Sequence, residues 1–334
     1  MNNRRKLIVA LGAGAFAAPF GAFAQQQGKV WRVGFLALPG QPADLDSHYY
    51  GAFRHGMREL GYVEGKNLII EWRWAGGEIK RLDALAAELV QLNLDLIATA
   101  GNDAAIAAKK ATGTIPIVMA TSADPVDTGL VASSARPGGN MTGLSDMGSE
   151  LAPKRLQLLL SMTSTATRKA SRVAVLVAAG STSNAKGLAG LLAAGATLGV
   201  TILPFTVGTP GEIEAAFSSM RQQKADALIV LLNPVFQQQR SQIAQLAAQH
   251  RLPSMTADRQ YPETGSLMSY GPNLADNLRR AALYADKIFK GRKPADLPVE
   301  QPTIFELVIN GKTAKTLGLK IPNSVLVQAT KVIE

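Results

Sequence analysis

The sequence predicts an α/β protein of two Rossmann-like lobes, parallel sheets wrapped by helices and joined by a multi-stranded hinge. Three observations carry this. Short apolar segments of strand length alternate with amphipathic segments of helical spacing, and the alternation runs twice in succession over stretches of similar length. Repeated βα alternation makes the strands parallel, because each crossover helix packs back onto a face of the sheet. The chain of 334 residues exceeds one typical core, and its late helix and strand are too little for a third domain.

A leader precedes the fold. Arg4, Arg5 and Lys6 form a positive start, Leu7 to Ala18 an apolar run, and Ala22-Phe23-Ala24 a small-residue cleavage site. The run is shorter than the roughly 20 residues that span a bilayer, so residues 1–24 are expected to be a cleaved signal peptide. The arginine pair leaves the export route open between the general and twin-arginine systems. No cysteine occurs. That excludes a lipid-bearing thiol at the mature N-terminus, disulfides, thiolate catalysis and cysteine metal sites. A soluble periplasmic protein is the expectation.

In the first lobe, Val30 to Leu38 reads as a buried strand. Phe53, Met57 and Leu60 recur at helical spacing after Tyr49, and Gly61 stops that helix. Leu68, Ile70, Trp72 and Trp74 alternate with Ile69, Glu71 and Arg73, as in a half-buried strand. Ile79, Leu82, Leu85 and Leu89 mark a helix, Asp95 to Thr99 a strand, Asp103 to Ala111 a helix and Ile115 to Ala120 a strand. Thr128 to Ala135 reads as a further helix, closed by the turn Arg136-Pro137-Gly138-Gly139-Asn140.

The pattern restarts after a helix from about Glu150 to Met162. Arg172 to Ala178 is a strand, Asn184 to Leu198 a helix and Val200 to Val207 a strand. Thr209-Pro210-Gly211-Glu212 reads as a capping box with proline at the first helical position, before a helix carrying Ile213, Phe217 and Met220. Ala227 to Leu232 is a strand, Pro234 to His250 a helix and Leu252 to Thr256 a strand. In the tail, Ser266 to Gly271 is strand-like, Pro272 to Lys290 helical and Thr303 to Ile309 a last apolar strand. The tail is expected to return to the first lobe and cross back. The division is residues 25–146 plus 268–302 for the N-terminal lobe and 147–267 plus 303–334 for the C-terminal lobe.

Charge and motifs exclude several classes. The net charge of +10 falls to +7 when Arg4, Arg5 and Lys6 leave with the leader, and no long basic run follows, so no nucleic-acid partner is expected. Of three histidines, His55 lies on the polar side of its helix and His250 at a helix end, both read as surface residues. No HExxH, GxSxG or P-loop pattern occurs. Gly12-Ala13-Gly14 mimics a dinucleotide fingerprint but lies in the leader with no strand before it. No cofactor, metal or catalytic residue is expected.

Candidate ligand contacts lie where apolar strands end, since open α/β sheets bind ligands at the carboxyl ends of their strands and helix N-termini favour anions. In the first lobe these are Leu38 to His48, Ala100-Gly101-Asn102-Asp103 and Ser122-Ala123-Asp124-Pro125. In the second they are Ala179 to Asn184, Asn233-Pro234 and Thr256-Ala257-Asp258. The same Asn, Ser and Asp residues also read as simple helix caps. His48, Tyr49 and Tyr50 offer hydrogen bonding and stacking, or core packing for the tyrosines.

Several stretches resemble the periplasmic substrate-binding proteins of ABC transporters, in the group with tryptophan- and tyrosine-binding members. They are Glu59-Leu60-Gly61-Tyr62-Val63-Glu64-Gly65-Lys66-Asn67, Thr114-Ile115-Pro116-Ile117-Val118 ahead of Asp124-Pro125-Val126, and Leu130-Val131-Ala132-Ser133 leading into Arg136-Pro137-Gly138-Gly139-Asn140-Met141-Thr142-Gly143. Further on come Ala285-Asp286-Lys287-Ile288, Lys293 to Pro302, Phe305-Glu306-Leu307-Val308-Ile309-Asn310 and Val332-Ile333-Glu334. The resemblance spans nearly the whole mature chain.

The resemblance implies a type I periplasmic-binding fold, monomeric, that closes over a small polar solute, an amino acid or related metabolite. It also implies delivery to a membrane permease and its ATPase. By analogy Asn102, Asp103, Ser122 and Asp124 hold one end of the solute, Ser181, Asn184, Asn233 and Asp258 clamp the other, and Tyr270 covers it. One departure stands out. Relatives often carry Thr or Ser followed by Pro or Thr where this chain has Asn102-Asp103. An acidic residue there opposes a ligand carboxylate, and Asp103 either meets a ligand amine or points away as a cap. Two other classes stay open: an exported α/β enzyme without a standard motif, and a ligand-sensing module for a membrane receptor.

Overall fold

The computed structural model describes residues 29–164 and 170–334; the leader expected at residues 1–24 lies outside them. The first half alternates β1 (Trp31–Ala37), α1 (Gly51–Glu59), β2 (Leu68–Trp74), α2 (Ile79–Val90), β3 (Leu96–Ala100), α3 (Asn102–Ala111), β4 (Ile117–Thr121) and β5 (Met141–Gly143). These strands form one parallel sheet in the order β2-β1-β3-β4-β5. Buried parallel strands are apolar on both faces, and β1 shows why. Val33, Phe35 and Ala37 pack with Phe53 and Met57 of α1, while Leu36 faces Leu82 and Leu89 of α2 and Ala104 of α3.

The second half runs α4 (Ala152–Thr163), β6 (Arg172–Ala178), α5 (Thr182–Leu198), β7 (Thr201–Val207), α6 (Ile213–Gln222), β8 (Ala227–Val230), α7 (Pro234–Gln238), α8 (Arg240–Gln249) and β9 (Ser254–Thr256). Then come α9 (Gln260–Glu263), β10 (Met268–Pro272), α10 (Leu274–Phe289), β11 (Phe305–Asn310), α11 (Gly311–Thr316), α12 (Asn323–Leu326) and β12 (Lys331–Ile333). Their strands form a seven-stranded sheet in the order β12-β11-β10-β9-β8-β6-β7, parallel except between β10 and β11. Val173, Val175 and Val177 of β6 face one core cluster, and Ala174, Leu176 and Ala178 face the other.

Both sheets reverse their strand order around one strand. In the first, β1 lies between β2 and β3; in the second, β6 lies between β7 and β8. Loops leaving β1 and β3, and those leaving β6 and β8, diverge to opposite faces and open a crevice at the strand ends.

Within the described residues the chain passes between the sheets three times: after β5, between β10 and α10, and between α10 and β11. After β10 the chain returns so that α10 packs on α1. Gly56 makes this approach possible, since a Cβ there would lie 2.8 Å from the Arg279 carbonyl oxygen. Arg155 of α4 is buried beside the crossings, where Nε donates to the Tyr270 carbonyl (2.7 Å) and Nη1 to the Gly148 carbonyl (2.9 Å).

The structure departs from the sequence reading in four places. Residues 268–272, assigned by sequence to the N-terminal lobe, pair with β9 and β11 in the second sheet; the return to the first begins with α10. Residues 128–135 are turns, because Gly129 takes φ +69° and the amides of Leu130 and Val131 both donate to the Pro125 carbonyl. The helix expected over 234–250 breaks at Gln239 into α7 and α8. At 209–212 the capping box becomes a short 3₁₀ turn, in which Glu212 accepts from the Gly208 amide and the Thr209 hydroxyl.

Candidate functional site

The two switch points face each other across a cavity of about 310 Å³. Its lining comes from both sheets. The first supplies Tyr49 and Tyr50 from the loop after β1, Gly101 to Asp103 after β3, and Thr121, Ala123, Asp127 and Thr128 after β4. The second supplies Gly180, Ser181, Ser183 and Asn184 after β6, and Leu231 to Pro234 with Gln237 after β8. Asp146 and Gly148 come from the first crossing.

Local chemistry explains how these groups are held. Gly101 takes φ +90°, a conformation that favours glycine, and turns β3 directly into α3. Asn102 then staples two loops together. Its amide nitrogen donates to the Ala123 carbonyl (2.8 Å), and its oxygen accepts from the Ala123 amide (2.8 Å) and the Ser122 hydroxyl (2.9 Å). In the second lobe Asn184 does the same work between β6 and β8. Its oxygen accepts from the Ala178 amide (2.9 Å), and its amide donates to the Leu232 carbonyl (2.9 Å). Ser181 caps α5 by accepting from the Asn184 amide, and Asn233 caps α7 by accepting from the Val235 amide.

Of the nine residues singled out from sequence, Asn102, Asp103, Ser181, Asn184 and Asn233 line the cavity. The other four do not. Ser122 is buried beneath Asn102. Asp124, at φ +49°, accepts from the Ser149 hydroxyl at 2.6 Å from each carboxylate oxygen and fastens the first crossing. Asp258 is 3% exposed and stands behind the lining, accepting from the Gln237 side chain (2.8 Å) and the Gln260 amide (2.9 Å). Tyr270, expected to cover the solute, stacks on Phe305 with ring centroids 6.2 Å apart.

Sequence reasoning passed over Asp127, Asp146 and Gln237. Asp146 had no local signal, since it matters only where the chain leaves the first sheet. Tyr49 and Tyr50 answer the alternative left open for them with both readings. Tyr50 packs in the core against Phe35 and Trp74, and both rings line the cavity.

The electrostatics are uneven. Burial pushes the Asp146 carboxyl up to about 6; Asp124 adds to this, while the Gly148 amide and the Arg155 guanidinium oppose it. Asp103, in the first turn of α3, is displaced upward by burial alone. Burial raises Asp258, against the pull of its hydrogen bonds and Arg240. Burial also lowers His48, with Arg240 adding to the effect, and raises Tyr49 and Tyr50, so both phenols stay protonated. Asp127 forms an ion pair with Lys186 of α5 at the mouth, and His48 Nε2 lies 3.5 Å from Gln260 Nε2 across the cleft. Among the described residues no group of His, Asp and Glu is placed to hold a metal ion, and no helix is long and apolar enough to cross a membrane.

Known proteins share this architecture. A tyrosine-binding protein of Clostridioides difficile (strain R20291) is 26% identical over 86% of this chain and 81% of its own. An ABC domain in complex with L-Trp from Streptococcus pneumonia superposes with a TM-score of 0.83 at 26% identity, over 91% of this chain and all but 1% of the other (99%). A conserved domain protein from Vibrio cholerae O1 biovar El Tor gives 0.82 at 27% identity, over 91% and 100% of the two chains. These neighbours carry the type I periplasmic-binding fold. The model of the ABC transporter substrate binding protein family, a family of binding proteins and not of enzymes, matches residues 41–333, so the chain belongs to that family.

Proposed function

We propose that the chain is the periplasmic substrate-binding component of an ABC importer. As a monomer it captures a small polar solute, an amino acid or related metabolite, between its lobes and delivers it to a permease and its ATPase. The observation that carries this reading is the cavity itself, about 310 Å³ and lined by strand-end loops of both sheets. That volume lies at the small end of ligand pockets. Because each lobe contributes a wall, a solute touching both stabilises the closed state over the open one, and three crossings supply a hinge. The names of relatives that bind tyrosine and L-Trp support an amino acid or close derivative.

Native mass spectrometry of the mature protein purified from periplasm tests the reading. One unchanged small molecule released per chain supports capture; a chemically altered product that accumulates with time overturns it. Calorimetry sharpens the site. Asp258→Ala removes the anchor of Gln237 and is expected to weaken binding about tenfold, while Arg58→Ala, exposed on α1, leaves affinity unchanged. Equal effects would displace the site from this cleft.

A further inference from the structure

We infer that the cleft recognises its solute by a protonated amine, received by Asp103 and Asp146, and that a carboxylate on the solute is dispensable. The inference rests on solute capture in this cavity and names the class of solute.

Among the described residues three carboxylates line the cavity, Asp103, Asp127 and Asp146, and no Lys, Arg or His lines it. They are not equally compensated. Asp127 has Lys186 at the mouth. Asp146 is 5% exposed and has the Gly148 amide at 2.9 Å, with Arg155 behind it. Asp103 has no cation or hydrogen bond among the described residues, and burial alone acts on it. Asp103 also answers the dipole of α3, whose N-terminal end carries only about half a positive charge, so that wall is left net negative. Even a half-buried carboxylate without a partner carries part of the desolvation cost, and a solute ammonium supplies the missing charge. The two carboxylates belong to one surface. Asn102 bonds Ala123, and a Cβ built on Gly148 would meet both the Ala123 methyl (3.3 Å) and Asp146 Oδ1 (3.0 Å).

Most of the side-chain amide donors that a solute carboxylate would need are engaged elsewhere. Among those of the described residues lining the cavity only the Asn233 side-chain amide nitrogen has no partner, and Gln237 already donates to Asp258. The amide nitrogens of Asn102 and Asn184 already donate to the carbonyls of Ala123 and Leu232. The Ser181 and Ser183 hydroxyls lie 3.3 Å from each other. Aromatic faces at Tyr49 and Tyr50 complete the site, and such faces attract cations.

The test screens the mature protein by thermal shift, then calorimetry, against a library of primary amines, amino acids and amine-free carboxylic acids. The library includes the matched sets tyrosine, tyramine and 3-(4-hydroxyphenyl)propionate, and tryptophan, tryptamine and indole-3-propionate. Hits are expected to carry an amine. Removing the carboxylate from a hit should weaken it less than about tenfold, and removing the amine about a hundredfold, as for a lost charge-assisted hydrogen bond. Asp103→Asn should weaken amine hits at least about tenfold while the apo protein melts as before. The inference is overturned if an amine-free acid binds as well as its amine counterpart, if a hit loses as much without its carboxylate as without its amine, or if Asp103→Asn binds unchanged. Silence across every class would overturn solute capture itself, and the inference with it.

Discussion

The two walls of the cleft are built from the same parts and use them in opposite ways. In the second lobe the polar residues at the strand ends are mostly occupied by the protein itself, the Asn233 side-chain amide nitrogen being the exception among the described residues. Asn184 ties β6 to β8, Ser181 caps α5 and Asn233 caps α7. In the first lobe Asn102 plays that structural part, but Asp103 beside it has no partner among the described residues, and Tyr49 and Tyr50 present rings. A polar side chain at a strand end therefore reads a ligand only with the bonding capacity left after folding. The first wall keeps an uncompensated carboxylate, and the second supplies mainly shape, with the Asn233 side-chain amide nitrogen as its open donor.

The largest test of this contrast lies behind the first wall. Arg155 is 1% exposed, and burial pulls it down to about 10, so it is still a cation at neutral pH. It serves Asp146 electrostatically and bonds the carbonyls of Gly148, on the first crossing, and Tyr270, in β10 just before the second. Arg155→Met takes a donor from each of two part-buried carbonyls and leaves Asp146 uncompensated. A loss of about 3–5 kcal/mol in urea denaturation is expected, as for other broken buried charge pairs. Adding Asp146→Asn should recover part of it. A loss below about 1 kcal/mol would mean that Arg155 does not hold the crossings.

Next in size is the pH dependence of Asp146. Its folded carboxyl is raised to about 6 from an ordinary 3.8, by burial first and with Asp124 adding to it against Arg155. Between those values the folded state holds a proton that the unfolded state has released. Stability therefore rises as pH falls from about 6 to about 4 and declines again as pH climbs through 6. Relative to Asp146→Asn, the wild type should gain about 3 kcal/mol over that window, at 1.36 kcal/mol per pKa unit. Parallel stability profiles for the two proteins would contradict it.

On the second wall the expected signature is the reverse. Asn184→Ala removes two buried hydrogen bonds, to the Ala178 amide and the Leu232 carbonyl, and should cost about 2 kcal/mol of stability. Asp103→Asn should cost affinity and leave stability alone. If Asn184→Ala instead abolished binding in a protein of unchanged denaturation midpoint, the division between the walls would be wrong.

The same contrast explains what was legible in the sequence. Parallel strands announce themselves as apolar runs, so β1, β3, β6 and β8 and the loops after them stood where the pattern put them. The turns at 128–135 did not. Leu130 and Val131 are buried as a helix pattern suggests, but Lys109 Nζ donates to the carbonyls of Gly129 (2.6 Å) and Leu130 (3.0 Å), a tertiary cap invisible to local spacing. At the site, sequence located Asn102, Asn184 and Asn233 but could not say whether their amides were free. That depends on which neighbouring carbonyl lacks a partner. Tyr270 was drawn to the site by its place near a crossover, and its ring found Phe305 instead.

The smallest expected effect concerns an ion pair that joins the walls. Lys186 of α5 meets Asp127 of the first lobe at the mouth, with side-chain exposures of 44% and 56%. It has the look of a latch, but exposed pairs contribute at most about 1 kcal/mol, because water screens the charges and two long side chains lose freedom. Lys186→Ala should therefore change affinity less than about fivefold and flatten its dependence on salt. A larger loss has a specific meaning. Lys186 also keeps Asp127 from acting as a further uncompensated carboxylate beside Asp103. If its removal tightened the binding of amines while weakening that of zwitterions, the cation would be tuning the charge of the cleft and not fastening it shut.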